Sequence, residues 1–208
     1  MTLLSAPAEP VVTSLATQSD GGRLDAVFLD RDGVINENRT DHVKNWSEFD
    51  FLPGALDAIA RFTQAGVRVF VITNQAIVNR GVVSRDSVEF LNRRMVQEIE
   101  HHGGKVEAVA YCPHRPDEAC FCRKPQPGLI SALALHHRVN LRHAVTIGDA
   151  MSDIDAGLAV GCRAMLVLSG RGREQLARAL PPGHPDFEVA TDLSDAAERL
   201  LGRAAAVA

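Results

Sequence analysis

Length, composition and charge limit the classes of protein that this sequence can encode. A chain of 208 residues with 46% hydrophobic content is long enough to bury a substantial core, which excludes disorder over most of its length. The formal net charge of -4 gives no electrostatic reason to expect a nucleic-acid partner, and no apolar run approaches the length of a membrane span.

The first 22 residues differ in composition from the rest of the chain. They are rich in Ser, Thr, Ala, Pro and Gly, and they lack the basic start and the continuous apolar stretch of a secretory signal. We therefore expect a flexible tail at 1–22, followed by one domain at 23–208. The same observations predict a cytoplasmic protein with no nucleic-acid or membrane partner, and we expect it to be a monomer.

Five short apolar runs rich in β-branched residues have the character of buried strands, and helical patterns separate them. The predicted strands, in chain order, are 26–29, 68–72, 106–111, 144–147 and 163–168. The predicted helices are 55–62, a helix capped by Ser84, 129–136, 154–160, 174–180 and 194–201. This alternation predicts right-handed crossovers and an α/β fold with a doubly wound parallel sheet. Such a sheet binds ligands beyond the carboxyl ends of its strands, where four polar motifs lie.

The first motif is Asp30-Arg31-Asp32-Gly33, directly after the first predicted strand. Side chains alternate in extended chain, so both carboxylates can face one site while Arg31 points elsewhere. Two carboxylates this close repel one another and would repel a phosphate, and a divalent cation reverses that interaction. Oxygen ligands favour magnesium over zinc. Taken alone, the motif could also be an ordinary acidic turn.

Two further motifs supply polar groups at strand ends. Asp149 ends the fourth predicted strand and is a candidate metal ligand, while Asp153 could support it or could only stabilise a helix N-terminus. Thr73 and Asn74 end the second strand, where a hydroxyl and an amide could bind phosphoryl oxygens or simply form a turn. Lys124 would add a fixed positive charge near a developing transition state.

A cluster of cysteines precedes that lysine. Three thiols and one imidazole at this spacing complete a tetrahedral zinc set with no position open for catalysis, although incidental cysteines are the alternative. The predicted structural zinc ligands are Cys112, His114, Cys120 and Cys122, in a loop at 112–122. This zinc loop runs directly into Arg123-Lys124-Pro125. We therefore expect bound zinc to order the loop and aim Arg123 and Lys124 into the site.

Together these motifs resemble the haloacid dehalogenase phosphatase superfamily over roughly residues 25–170. The resemblance implies that Asp30 is a nucleophile that forms an aspartyl-phosphate, and that Asp32 is the general acid/base. It also implies that Thr73 and Lys124 stabilise the phosphoryl group. Magnesium would be held by Asp30, by the backbone carbonyl of Asp32, and by Asp149.

The segments 29–36 and 111–128 resemble, more narrowly, the D-glycero-D-manno-heptose 1,7-bisphosphate 7-phosphatases and the related histidinol-phosphatase domains. Members of this group lack a large cap domain. The resemblance implies hydrolysis of the 7-phosphate of a small sugar bisphosphate in nucleotide-heptose biosynthesis. The substrate-binding residues that it implies are Asn74, Gln75, Arg123, Arg39 and His42.

Two positions differ from the pattern of the heptose enzymes. These usually carry a small residue and then Gly after Thr-Asn-Gln, whereas this chain has Ala76 and Ile77. Their Gly-Asp pair is often followed by Lys, whereas this chain has Ala150. A bulky residue and a lost positive charge near the site could alter the fit of the substrate.

Other functions share these motifs. A histidinol-phosphate phosphatase would use the same catalytic residues, but a cationic substrate is disfavoured by the basic side chains of Arg39, Arg123 and Lys124. Another small phosphate ester is also compatible with the motifs. A binding module without catalysis is disfavoured because pure binding does not need both Asp30 and Asp32.

Overall fold

The computed structural model describes residues 23–178, 180–181 and 183–205, so the predicted tail at 1–22 lies outside the described residues. Within these ranges the core is a parallel sheet of six strands in the order β3-β2-β1-β4-β5-β6. The strands are β1 (Ala26–Leu29), β2 (Arg68–Asn74), β3 (Ala108–Cys112), β4 (Ala144–Gly148), β5 (Arg163–Val167) and β6 (Glu188–Ala190).

Helices cover both faces of the sheet. They are α1 (Ala55–Gln64), α2 (Arg85–His101), α3 (Gly128–His137), α4 (Met151–Leu158), α5 (Gly172–Leu176) and α6 (Leu193–Ala205). Val27 and Leu29 of β1 pack in one core with α1, α2 and α6, whereas Ala26 and Phe28 face the opposite core with α3. Alternate residues of a buried strand therefore serve two apolar layers, which confirms the predicted doubly wound fold.

The helix boundaries follow local capping interactions. Ser84 caps α2 as predicted, because its hydroxyl accepts the backbone N–H of Ser87 at 3.1 Å. Helix α4 begins at Met151, three residues earlier than predicted, and the Asp153 carboxylate accepts the N–H of Ala150 at 3.0 Å. Helix α5 is shorter than the predicted 174–180. Strand β6 was not predicted, because three residues are too few to show the alternation of apolar and polar side chains that indicates a strand.

The strand order brings the carboxyl ends of β2, β1 and β4 side by side at the middle of the sheet. Leu29 is in register with Val71 on one side and with Ile147 on the other. The polar residues that follow these strands therefore converge on one edge, as parallel topology requires. No helix in the described ranges has the length and apolar character needed to cross a membrane.

Candidate active site

Three carboxylates, from the ends of β1 and β4 and from the first turn of α4, form a buried cluster. Asp30, Asp149 and Asp153 each place a carboxylate oxygen within 4.8 Å of the others. Burial raises the pKa of Asp30 to about 6, and the charges of Asp153 and Asp32 add to the effect while Lys124 opposes it. Burial and the charge of Asp30 likewise raise the pKa of Asp149. A hard divalent cation would relieve this repulsion, and an all-oxygen donor set suits magnesium.

Glycines allow the backbone to approach these carboxylates closely. A Cβ atom at Gly33 would lie 2.2 Å from Oδ2 of Asp149, and one at Gly170 would lie 2.3 Å from the same oxygen. A Cβ at Gly148 would lie 2.2 Å from the Cβ of Asp153. No other residue type fits these positions without displacing a carboxylate, so the cluster is held by direct contact with the main chain.

Lys124 lies between two of the carboxylates. Its ammonium group is 2.8 Å from Oδ1 of Asp30 and 2.7 Å from Oδ1 of Asp153, and it donates to the carbonyl of Ile72 at 2.9 Å. Its side chain is only 2% exposed. Burial alone would lower the pKa of Lys124, but the charges of Asp153 and Asp30 raise it above its usual value. The lysine therefore stays charged inside the site.

The Asn74 side chain fixes the backbone of this lysine. Its Nδ2 donates to the carbonyl of Lys124 at 3.1 Å, and its Oδ1 accepts the N–H of Lys124 at 3.1 Å. Both ends of the amide are thus engaged with the chain itself. These contacts join β2 to the end of the zinc loop, and the substrate contact expected of Asn74 stays a prediction.

Asp32 is held by a separate network. Arg31 donates to both carboxylate oxygens at 3.0–3.2 Å, Asn36 donates to Oδ1 at 2.9 Å, and Gln75 donates to Oδ2 at 2.8 Å. Burial by itself raises the pKa of Asp32, but the Arg31 charge and the hydrogen bonds from Asn36 and Gln75 give a net lowering. The expectation that Arg31 points elsewhere is wrong, since a fully buried guanidinium needs a carboxylate partner. Arg31 also donates to Asn92 at 3.0 Å.

Gln75 links Asp32 to the expected catalytic hydroxyl. The same Nε2 that donates to Asp32 also donates to Oγ1 of Thr73 at 2.9 Å. Both Gln75 and Thr73 are buried. The amide donor of Gln75 therefore orients Asp32 and Thr73, and the substrate contact expected of this residue stays a prediction.

Asp153 caps a helix and contacts the buried lysine, and its supporting role at a metal stays a prediction. Its Oδ1 accepts from Lys124, while its Oδ2 accepts the N–H of Ala150 at the start of α4. A helix-capping carboxylate therefore also anchors the buried lysine. Asp153 also packs directly against Gly148, so there is no space for a side chain at that position.

The predicted zinc ligands lie together in the structure. The Sγ of Cys112 is 3.4 Å from Nδ1 of His114 and 3.6 Å from the Sγ of Cys120, and Cys122 lies 3.2–3.6 Å from the other three. A tetrahedral ion with bonds of about 2.3 Å places its ligand atoms about 3.8 Å apart, so the donors and their spacing fit zinc.

The zinc loop contacts the arginine that follows it. Nη1 of Arg123 donates to the carbonyl of His114 at 3.2 Å, so the backbone of one zinc ligand holds this guanidinium. The loop also packs tightly against α3, because a Cβ at Gly128 would lie 2.5 Å from the carbonyl of Phe121. The loop backbone therefore contacts the Arg123 side chain, and the coupling of its position to bound zinc stays a prediction.

Arg39 and His42, the two remaining residues expected to bind substrate, lie in the loop after β1 but have different surroundings. Arg39 is 3.2 Å from Asp41 and 3.9 Å from Glu48, both close in sequence, and its side chain is 40% exposed. His42 lies 3.5 Å from Arg80. Burial lowers the pKa of His42, and the charges of Arg80 and Arg171 lower it further. His42 thus lies near two arginines, whereas Arg39 forms ion pairs within its own loop.

Arg171 reaches the site although no sequence motif singles it out. Its backbone N–H donates to Oδ2 of Asp149 at 2.8 Å, and its side chain donates to both oxygens of Asp149 at 3.2–3.3 Å. The available signal was its position, four residues beyond the end of β5. Of the two departures from the family pattern, Ile77 is almost fully buried, and Ala150 is also buried.

Known proteins resemble this chain both in sequence and in overall fold. A family model described as "HAD-hyrolase-like" matches residues 121–196. The D-glycero-beta-D-manno-heptose-1,7-bisphosphate 7-phosphatase of Pseudomonas aeruginosa is 39% identical over 175 residues, covering 84% of this chain and 97% of that protein. The protein of the same name from Bordetella bronchiseptica is 40% identical over 179 residues, covering 86% of this chain and 98% of the other.

A solved structure extends the similarity to three dimensions. The crystal structure of D,D-heptose 1.7-bisphosphate phosphatase from B. bronchiseptica, complexed with magnesium and phosphate, matches with a TM-score of 0.80 at 39% identity. The match covers 86% of this chain and 98% of that one. Similarity at this level, over nearly the whole of each relative, places the chain in a family. The chain belongs to the D-glycero-D-manno-heptose 1,7-bisphosphate 7-phosphatase family of haloacid dehalogenase-like hydrolases.

Proposed function

We propose that this protein is a magnesium-dependent phosphatase that removes the 7-phosphate of D-glycero-D-manno-heptose 1,7-bisphosphate through an aspartyl-phosphate. The observation that supports it most directly is the buried arrangement of Asp30, Lys124, Asp153 and Asp149 at adjoining strand ends. A small sugar phosphate as substrate agrees with the names of the relatives. We also propose that residues 23–208 act as one domain, in a monomer located in the cytoplasm.

In this mechanism Asp30 is the nucleophile. Lys124 binds Oδ1 of Asp30, which leaves Oδ2 free to attack phosphorus. The same ammonium group and the hydroxyl of Thr73 would stabilise charge on the phosphoryl oxygens. Magnesium, held by Asp30, the carbonyl of Asp32 and Asp149, would supply Lewis-acid stabilisation of that charge.

Asp32 is suited to donate a proton to the leaving alkoxide in the first step and to accept one from water in the second. Its ionised form is stabilised by Arg31, Asn36 and Gln75, and this form is the base that would activate water against the phosphoenzyme. When a phosphate dianion lies beside Asp32, the added negative charge raises its proton affinity. Asp32 can then hold the proton that the leaving alkoxide needs.

The cations around the entrance favour a substrate with two phosphates. Arg123 lies at the end of the zinc loop, and Arg80 lies against the His42 side chain of the loop after β1. A cationic amino alcohol ester such as histidinol phosphate would meet repulsion from these groups. The bisphosphate is therefore the better fit.

The test is magnesium-dependent phosphate release from both anomers of heptose 1,7-bisphosphate and from histidinol phosphate, measured side by side. We expect a strong preference for the bisphosphate, abolished in Asp30→Asn and retained in Asp57→Asn, a change at an exposed aspartate of α1. A preference for histidinol phosphate would contradict the proposed substrate. Equal turnover by the Asp30→Asn variant would contradict the assigned nucleophile.

A further inference from the structure

The mouth of the site contains a cation that the proposed mechanism does not use. Lys124 is 2% exposed and sits against the nucleophile, whereas the side chain of Arg171 is 49% exposed and sits against Asp149. The site therefore has an inner positive charge and an outer one. The inner charge matches the phosphate that reacts, and the outer charge is half-exposed to solvent.

Arg171 is held in this place by its backbone as well as by its side chain. Ser169 donates from its hydroxyl to the carbonyl of Gly33 at 2.7 Å, which ties the loop after β5 to the loop after β1. Gly170 has a φ of +53°, and a Cβ there would lie 2.6 Å from Cα of Gly33. The backbone N–H of Arg171 then donates to Asp149. A loop fixed at three successive residues presents its arginine in one orientation.

The hydrogen bonds to Asp149 use only part of the guanidinium. An arginine side chain has five N–H donors, and Asp149 accepts one from Nε and one from Nη2. The remaining donors lie on the half-exposed part of the group. A planar group held by a carboxylate on one side and open on the other can bind a phosphate in a bidentate fashion.

We infer that Arg171 is a substrate-positioning residue that binds the phosphate that is not hydrolysed, while Lys124 and Thr73 serve the phosphate that reacts. The inference rests on the proposed function and extends it to a residue of the loop after β5. The outer phosphate would thus bind at the open side of this guanidinium, opposite Asp149.

The test compares two substrates in the magnesium-loaded enzyme. Heptose 1,7-bisphosphate has an outer phosphate, and p-nitrophenyl phosphate lacks one. In Arg171→Gln we expect kcat/KM for the bisphosphate to fall by about 10- to 100-fold, mainly through KM, because a charge-assisted bidentate contact is lost. The loss for p-nitrophenyl phosphate should be at least about five-fold smaller. Arg171→Lys should recover part of the loss, and Arg173→Gln, at an exposed arginine of α5, is the matched control.

Binding of the product gives a second readout that does not depend on turnover. Heptose 1-phosphate keeps the outer phosphate, so calorimetry should show its affinity falling in Arg171→Gln by the same factor as kcat/KM. Equal losses on both substrates would mean that Arg171 acts only through Asp149, and no loss would remove its role; either result overturns the inference. A wild-type enzyme with no preference for the bisphosphate would contradict the proposed function and this inference with it.

Discussion

At the scale of single residues, Lys124 lies between two buried carboxylates whose negative charges would otherwise repel each other. Its ammonium group contacts two buried carboxylates and one main-chain carbonyl, so removing it leaves Asp30 and Asp153 charged without a partner. Removal of one partner from a buried ion pair typically costs about 3–5 kcal/mol, part of which the carboxylates can avoid by binding protons. The same side chain therefore contributes to stability and to the charge balance of the reaction.

Replacing this lysine tests its role in the reaction. In Lys124→Met, which keeps most of the side-chain volume, we expect kcat to fall at least about 100-fold, because a preorganised positive charge is lost from the transition state. The melting temperature should also decrease. Steady-state kinetics and circular dichroism measure both effects. Lys105→Met, at a lysine 63% exposed, is the control, and a Lys124→Met variant with nearly normal kcat would show the assignment to be wrong.

At the scale of elements, the segment between β3 and α3 connects the candidate zinc site to the buried Lys124. Cys112 ends β3, the other three zinc ligands lie in the loop, and Arg123 and Lys124 follow directly. The His114 carbonyl holds Arg123, and Asn74 at the end of β2 holds the Lys124 backbone. The loop is therefore fixed at its start by zinc ligands and at its end by hydrogen bonds to a neighbouring strand.

Loss of one zinc ligand should act on the active site through this loop. In Cys122→Ser we expect zinc content well below one ion per chain and a fall in kcat/KM of about ten-fold or more, since a displaced Arg123 or Lys124 weakens positioning. Elemental analysis and kinetics on the same sample provide the measurement. Cys162→Ala removes a buried thiol outside the cluster and should keep its zinc. Full activity in a demonstrably zinc-free Cys122→Ser protein would disprove the coupling.

At the scale of the whole molecule, two loops from distant parts of the chain pack against Asp149. Gly33 follows β1, Gly170 follows β5, and each would place a Cβ within 2.3 Å of the same carboxylate oxygen. Because the sheet aligns these strand ends, the glycines pack on a residue far away in sequence. The metal site therefore depends on the assembly of the sheet and not on any one motif.

Two glycine substitutions separate backbone strain from this close contact. Gly33 and Gly103 both have positive φ, at +94° and +83°, but a Cβ at Gly103 has no atom within 4 Å among the described residues. Replacing either by Ala should cost about 1–2 kcal/mol of stability from strain. Only Gly33→Ala should also weaken magnesium binding and phosphatase activity, by displacing Asp149. Calorimetric titration and thermal melts test this, and normal magnesium affinity in Gly33→Ala would contradict it.

The sequence by itself determined the fold and the location of the site. Buried strands such as β2 contain continuous apolar runs, here residues 69–72, and polar residues at the strand ends mark where the sheet binds ligands. The zinc set was also predictable, because Cys112 and His114, like Cys120 and Cys122, are close in sequence. Local spacing is sufficient wherever the interacting groups are near neighbours along the chain.

Only the tertiary structure decided what each side chain contacts. Asn74 binds the backbone of Lys124, Gln75 binds Asp32 and Thr73, and Arg171 binds Asp149 from another strand end. A hydrogen bond depends on distance and direction through space, within a few tenths of an ångström, and residues far apart in sequence acquire that geometry only when the strands align. Sequence pattern therefore identifies the edge of the sheet, and packing assigns the partners there.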